Sequence, residues 1–125
     1  MVISEEVQHA ILNAAAALVN SGTMLFREGS TARLTFSLKS TAFAAAAGGE
    51  AALDVTSPTM SATAASSAAV ALDNYQIRTS GAAVRFSGDI GEIGSGAEIE
   101  MNHPDVVIGD VVTVDDYTLS MPTGA

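Results

Sequence analysis

Residues 75–122 read YQIRTSGAAVRFSGDIGEIGSGAEIEMNHPDVVIGDVVTVDDYTLSMP. Apolar and polar residues alternate in short runs along this stretch, and glycines separate the runs, which is the pattern of half-buried strands joined by tight turns. Tyr75 and Ile77 alternate with polar neighbours, and Ser80-Gly81 marks a tight turn before the next run. The stretch therefore predicts a hairpin followed by further strands, and it carries no recognisable catalytic motif.

A glycine-rich loop and further strands are predicted beyond this hairpin. The loop is indicated by Gly88, Gly91, Gly94 and Gly96. After the loop, apolar residues recur at alternate positions in short runs as far as Met121. The alternation breaks at Asp115-Asp116, which predicts a β-bulge.

Residues 4–20 predict the one helix of the chain. Ser4 is a suitable N-cap, Glu5 and Glu6 occupy the positively polarised first turn, and Gly22 lies just past the end. An isolated helix of about 16 residues is marginal in water, so we expect its apolar stripe to dock on the sheet of the same chain or on a neighbouring subunit. The stripe follows a spacing of three and four residues and consists of Val7, Ala10, Ile11, Ala14, Leu18 and Val19.

The middle of the chain predicts two hairpins and a loop. Residues 23–29 and 32–40 alternate with a period of two on either side of Gly29-Ser30. Residues 42–53 predict a strand, a turn at Gly48-Gly49 and a second strand, with a short helix as the alternative because alanine is a poor strand former. Residues 57–70 are small and polar, and they predict a loop or an irregular edge segment; a long loop of that kind commonly contacts partners.

Together these elements predict a mainly β fold, an antiparallel β-sandwich or jelly-roll-like domain with one N-terminal amphipathic helix. We expect about seven or eight strands separated by regularly spaced turns. The predicted organisation is a helical segment at 1–21, a β-sandwich domain at 22–122 and a short tail at 123–125.

Composition and charge limit the classes of partner. Five Lys and Arg stand against fourteen Asp and Glu, which gives a formal net charge of −9 and predicts no binding to nucleic acid or to anionic membranes. Hydrophobic residues make up 48% of the 125 residues, but only four Phe and two Tyr are among them, so the core is thin. We therefore expect association with copies of the same chain or with a larger partner.

Reactive side chains are few, and no enzyme is predicted. There is no cysteine, no GxSxG elbow and no HExxH pair, and His9 and His103 are predicted to be surface histidines. No cofactor is expected from these residues. Calcium is the alternative to be weighed, since its ligands are oxygens and acidic pairs occur at Asp115-Asp116, at Glu98 with Glu100, and at Asp105 with Asp110.

Three passages resemble a family of small virion-associated structural proteins of tailed bacteriophages. They are ILNAAAALVNSGTMLFREGS at 11–30, LTFSLKSTAFAAAAGGEAAL at 34–53, and AAVRFSGDIGEIGSGAEIEMNHPDVVIGDVVTVDDYTLSMP at 82–122. The resemblance implies a structural component of the phage particle, assembled in the host cytoplasm and located in the virion. It carries no catalytic residues over to this sequence.

On this resemblance we expect a capsid decoration or cement protein that braces the head shell, with copies of itself and other virion proteins such as the major capsid protein as partners. Two alternatives stay open: a neck, tail or fibre-attachment component, and a carbohydrate-binding β-sandwich with exposed aromatic rings near Tyr75 or Tyr117. The residues expected at an interface are Val7, Ile11, Leu18, Tyr75, Asp115 and Asp116.

Overall fold

A computed structural model describes residues 4–55, 61–63, 70–102, 104–107, 109–114 and 117–120. Over these ranges the chain is mainly β, with one helix at its N-terminal end, so the predicted fold class is confirmed. The predicted tail at 123–125 lies outside the described residues. Helix α1 spans Glu5–Ala17, and the strands are β1 Thr23–Glu28, β2 Thr31–Ser37, β3 Glu50–Ala52, β4 Ser61–Thr63, β5 Val70–Ala71, β6 Asn74–Arg78, β7 Val84–Glu92, β8 Ile99–Met101, β9 Asp105–Val106, β10 Val111–Thr113 and β11 Thr118–Ser120.

A five-stranded sheet forms the centre of the fold, in the order β2-β1-β6-β7-β8. The predicted hairpins β1–β2 and β6–β7 are both present, and every pair in this sheet is antiparallel except β7–β8. That last pair is parallel, with Ile90 opposite Ile99, which corrects the expectation of a wholly antiparallel sheet. Three small antiparallel pairs accompany the sheet: β10-β4, β11-β3 and β5-β9.

The register of the central sheet places large apolar side chains in rows across one face. Met24 lies opposite Phe36 on one side and Ile77 on the other, and Phe26 lies opposite Leu34 and Tyr75 in the same way. These residues belong to one buried cluster, in which the rings of Phe26 and Phe36 meet edge to face at 4.8 Å. Further members of the cluster come from outside this sheet, among them Ala16 of the helix, Val19 just after it, Phe43 and Leu53 of segment 42–53, Ala51 and Val106 of the small pairs, and Val114 just after β10.

The alanine-rich segment 42–53 forms a strand-like hairpin, as predicted, and the helical alternative is wrong. Phe43 bridges Leu53, and Ala47 bridges Glu50 across the turn. Gly48 and Gly49 take φ angles of +61° and +79°, a region that residues with a Cβ atom rarely enter. The two glycines therefore fix the turn and end any helical run of alanines.

Strand residues occur in two segments for which loops were predicted. Residues 61–63, inside the predicted loop 57–70, pair with Val111–Thr113 as a short strand, while 57–60 and 64–69 lie outside the described residues. Gly88 and Gly91 belong to strand β7, and the loop begins only after Glu92. A Cβ atom on Gly88 would lie 2.6 Å from the ring of Tyr75, so this glycine makes room for a packed ring within a strand.

Candidate interaction surface

Helix α1 begins and is capped as the sequence predicts. The backbone N–H of Val7 donates to the Ser4 side-chain oxygen at 3.3 Å, and Glu5 and Glu6 lie in the first turn. Beyond the helix, the N–H of Gly22 donates to the carbonyl of Val19 at 2.9 Å. Gly22 is also in close contact with the backbone of Arg78, where an added Cβ would lie 1.9 Å from the carbonyl oxygen. Glycine at this position thus allows the helix end to reach the central sheet.

The packed side of α1 contains Leu12 and Ala16, and Val19 continues it just beyond the helix end; the three are 3%, 6% and 0% exposed. Polar side chains beside this face hold it against segment 42–49. The N–H of Gly49 donates to His9 Nε2 at 3.1 Å, and the N–H of Ala46 donates to Asn13 Oδ1 at 2.8 Å. Because these hydrogen bonds satisfy backbone donors of the hairpin, they fix the rotation of the helix about its axis.

The predicted apolar stripe faces away from the fold. Val7, Ile11 and Leu18 are 48%, 43% and 54% exposed, and Ala10 and Ala14 are exposed as well. Of the predicted stripe, only Val19 is buried. The prediction that this face docks on the chain's own sheet is therefore wrong, and its alternative, a neighbouring subunit, remains. From Ala10 to Val19 every residue except Asn13 is apolar, so the helix has an inner and an outer apolar face.

Tyr75, the fourth of the predicted interface residues, is in the core. It is 1% exposed, its hydroxyl donates to Glu98 Oε2 at 2.7 Å, and its oxygen lies 2.7 Å from the Tyr117 hydroxyl. The two rings meet edge to face at 5.5 Å. Burial raises the pKa of Tyr75, and its hydrogen bonds with Tyr117 and Glu98 raise it further; burial also raises the pKa of Tyr117. Tyr75 therefore presents no ring to a sugar or a protein partner.

An open depression of about 350 Å³ lies beside this pair of tyrosines, lined by Glu98, Ile99, Glu100, Tyr117 and Thr118. Its carboxylates are already engaged. Glu98 accepts from Tyr75, and Glu100 Oε2 accepts from the N–H groups of Gly94 and Gly96 at 3.2 and 2.9 Å. These contacts hold the loop between β7 and β8, so the polar groups of the depression have a structural role.

Acidic side chains elsewhere in the last third also stabilise turns. Asp89 Oδ1 accepts from the N–H of Glu98 at 2.9 Å, and Asp110 Oδ2 accepts from the N–H of Val107 at 2.9 Å. Some of the acidic residues that make this region negative therefore accept hydrogen bonds from backbone N–H groups. The spacing of these acids in the sequence did not indicate that role. Asp115 and Asp116 lie outside the described residues, and their place at an interface stays a prediction.

The two histidines and the acidic pairs were weighed as possible metal ligands in the sequence. His9 is partly buried and accepts a hydrogen bond from the N–H of Gly49, while His103 lies outside the described residues. Across the ranges that the structure describes, no three His, Asp or Glu side chains come close enough together to hold a metal ion. Calcium binding stays a prediction.

Comparison of the chain with protein-family models, with curated proteins and with solved structures finds no match. Within the described part of the chain, no helix is long and apolar enough to cross a lipid bilayer. The outer face of α1, formed by Val7, Ala10, Ile11, Ala14 and Leu18, contains three of the seven large apolar side chains that are exposed among the described residues, and it is the candidate interaction surface.

Sequence reasoning missed the residues that orient this face. The predicted stripe omits Leu12, His9 was predicted to be a surface histidine, and Asn13 was given no role. An available signal was the spacing of His9, Leu12, Asn13 and Ala16, which also lie on one side of a helix. When a helix has two apolar faces of similar width, the sequence does not show which one is buried. The buried face is the one that packs against the hairpin, and that contact depends on the tertiary structure.

Proposed function

We propose that this protein is a non-enzymatic structural component of a tailed-bacteriophage virion, most specifically a capsid decoration protein that braces the head shell. The proposal combines the sequence resemblance of three passages with a structural feature suited to assembly. The observation that carries it is the outer face of α1, where Val7, Ile11 and Leu18 lie about half exposed on a helix that has no Asp, Glu, Lys or Arg after Glu6.

The energetics of that face favour an assembled role. Burial of apolar surface against a partner would stabilise the complex by about 25 cal/mol for each Å² removed from water. A folded chain with few large core residues retains these side chains on its surface, and assembly proteins use such surfaces to bind neighbours. The polar clusters of the chain, in contrast, hold strands and turns together through the hydrogen bonds described above.

Charge gives the expected chemistry of the virion partner. The chain carries a formal net charge of −9, so a binding site on the major capsid protein should combine an apolar groove with a basic rim. Such a rim would raise the rate of association and would make binding weaker at high salt. Copies of this protein would then line the outside of the shell, with other virion proteins as their further partners.

The test is to find where the protein resides and in how many copies. Particles produced from the genome that carries this sequence should be purified on a density gradient, and the protein should be quantified against the major capsid protein by mass spectrometry. On the order of hundreds of copies per particle support the shell, whereas about six to twelve indicate a closed neck or tail ring. Absence of the protein from purified particles would overturn the proposal.

A variant separates assembly from folding. Ile11→Glu places a charge on the outer helix face, and we expect it to reduce incorporation into particles while leaving the thermal unfolding midpoint nearly unchanged. Glu6→Gln is the matched control, since it alters an exposed residue of the same helix without disturbing the apolar stripe. A glycan array with and without a chelator covers the carbohydrate-binding alternative, for which Tyr75 is unsuitable because it is buried.

A further inference from the structure

We propose that the tip of the β6–β7 hairpin docks onto an acidic patch of another protein. Three exposed or half-exposed side chains form this surface, which we call the arginine tip: Arg78, Val84 and Arg85. It is separate from the outer face of α1, and it does not depend on the virion assignment. The observation that carries the proposal is a pair of guanidinium groups that have no carboxylate partner in a strongly acidic chain.

Neither guanidinium of the arginine tip forms an ion pair within the described part of the chain. Arg78 donates from Nε and Nη2 to Gln76 Oε1 at 3.1 and 2.6 Å, so a neutral amide holds its side chain in place. Arg85 is exposed and has no hydrogen bond or ion pair across the same ranges. The arginine and lysine ion pairs that the structure does contain are formed by Arg33 and Lys39.

The nearest acids along the hairpin are too distant to neutralise these charges. Asp73 is five residues from Arg78, and Asp89 is four residues from Arg85. At about 3.3 Å per residue these separations are roughly 13–17 Å, which exceeds the Debye length of about 8 Å at physiological ionic strength. Residues 74–88 therefore carry two positive charges and no acid, while the rest of the chain has three bases against fourteen acids.

The turn presents the arginine tip in a fixed geometry. Thr79 Oγ1 accepts from the N–H groups of Gly81 and Ala83, both at 3.2 Å, and residues 80–85 are all exposed. Val84 is 43% exposed and lies opposite Arg78 in the β6–β7 register, directly before Arg85 in the chain. An apolar side chain flanked by arginines is typical of the centre of a protein–protein interface.

The distribution of charge favours an acidic protein over other partners. A nucleic acid presents a phosphate every few ångströms, so most of its charge would be repelled by the acidic remainder of the chain. An anionic membrane surface is equally extended, and a second copy with a net charge of −9 is repelled as a whole. An acidic patch confined to one part of a protein surface contacts only the arginine tip, and each guanidinium can bind a carboxylate there in bidentate fashion.

The spacing of the arginines specifies a probe. Because Arg85 follows the residue opposite Arg78, their Cα atoms are about 6 Å apart, close to the separation of alternate residues in an extended peptide. The probe is acetyl-Ser-Glu-Ser-Glu-Ser-amide, and the same peptide with glutamine for glutamate is its control. Each is titrated at low salt into protein labelled with nitrogen-15, and the backbone and arginine Nε–H signals are recorded.

We expect the largest changes in chemical shift at residues 76–86 with the glutamate peptide and no comparable change with the glutamine peptide. The double variant Arg78→Gln/Arg85→Gln should bind about five- to tenfold more weakly, since two exposed ion pairs are lost. Arg33→Gln is the control for loss of a positive charge elsewhere on the sheet, and it should change the affinity by less than about twofold. Circular dichroism confirms that each variant is folded.

Three results would overturn the proposal. Absence of shift changes at the arginine tip at the highest peptide concentration would mean that it does not bind carboxylates. A loss in Arg33→Gln as large as that in a single Arg85→Gln variant would indicate diffuse attraction to the whole sheet. Tighter binding of a thymidine trinucleotide, whose two phosphodiesters carry the same charge as the peptide, would indicate a nucleic-acid ligand. The titration contains no phage particles, so its result is independent of the virion assignment.

Discussion

Replacing Gly88 by alanine tests the packing of the tyrosine cluster directly. A Cβ at this position would lie 2.6 Å from Tyr75 Cε1 and 2.6 Å from Glu98 Oε1, both well inside van der Waals contact. The Glu98 side chain can swing outward, but the ring of Tyr75 is buried between neighbouring strands. The ring or the strand must therefore shift to accept a single methyl group.

The expected loss reflects two opposing effects. Overpacking of a core costs about 1–3 kcal/mol, and movement of Glu98 weakens its hydrogen bond with Tyr75. Gly→Ala gains about 0.4–1 kcal/mol by restricting the unfolded chain, since Gly88 does not occupy the positive-φ region. The net loss should be about 1–2 kcal/mol, or about 3–6 °C in Tm for a domain of this size.

The assay is urea unfolding followed by tyrosine emission and by near-ultraviolet circular dichroism. Tyr75 and Tyr117 are the only tyrosines and there is no tryptophan, so both signals report on this cluster. Gly81→Ala is the control, because its Cβ would meet nothing nearer than Thr79 Oγ1 at 3.7 Å. If Gly88→Ala proves as stable as Gly81→Ala with an unchanged tyrosine spectrum, the packing argument fails.

Three further predictions concern the helix and the ionisable groups. Leu12→Ala should cost about 2–4 kcal/mol in chemical unfolding, whereas the adjacent Ile11→Ala should cost less than about 0.5 kcal/mol; equal losses would refute the orientation of α1. Because the pKa of Tyr75 is raised in the folded state, its contribution to stability is complete below the ordinary tyrosine pKa of 10.0 and falls as the pH rises above it. Tyr75→Phe should therefore make the free energy of unfolding less dependent on pH between neutral and alkaline conditions. The N–H of Ala71 and the Arg33 guanidinium lower the pKa of Glu28, so its contribution is present above 4.5 and lost in acid; Glu28→Gln should show a shallower acid dependence, and an unchanged slope would contradict this.

Elements whose signal is local were predictable from the sequence. The hairpins β1–β2 and β6–β7 are indicated by alternation with a period of two and by turn residues such as Gly29-Ser30. The helix is indicated by its cap at Ser4 and its first-turn acids. These features depend on residues a few positions apart, whose backbone preferences are the same whatever surrounds them.

Features that depend on distant partners were not predictable. Because glycine is uncommon inside strands, the sequence predicts a loop at Gly88. The structure places Gly88 in β7, where the ring of Tyr75 leaves no room for a Cβ atom. Tyr75 is a second example. The alternating pattern around it indicated a buried face, but it did not indicate that Glu98 and Tyr117 would form hydrogen bonds with its hydroxyl.

The sequence alone determined that this chain forms a capped N-terminal helix and a series of short strands, because local periodicity and turn chemistry encode them. Only the tertiary structure decided which side of the helix is left exposed. Either apolar face could have been buried, and the hydrogen bonds of His9 and Asn13 to segment 42–49 turn Leu12 and Ala16 inward. The outward position of Val7, Ile11 and Leu18 results from those contacts, which join residues about 30 to 40 positions apart.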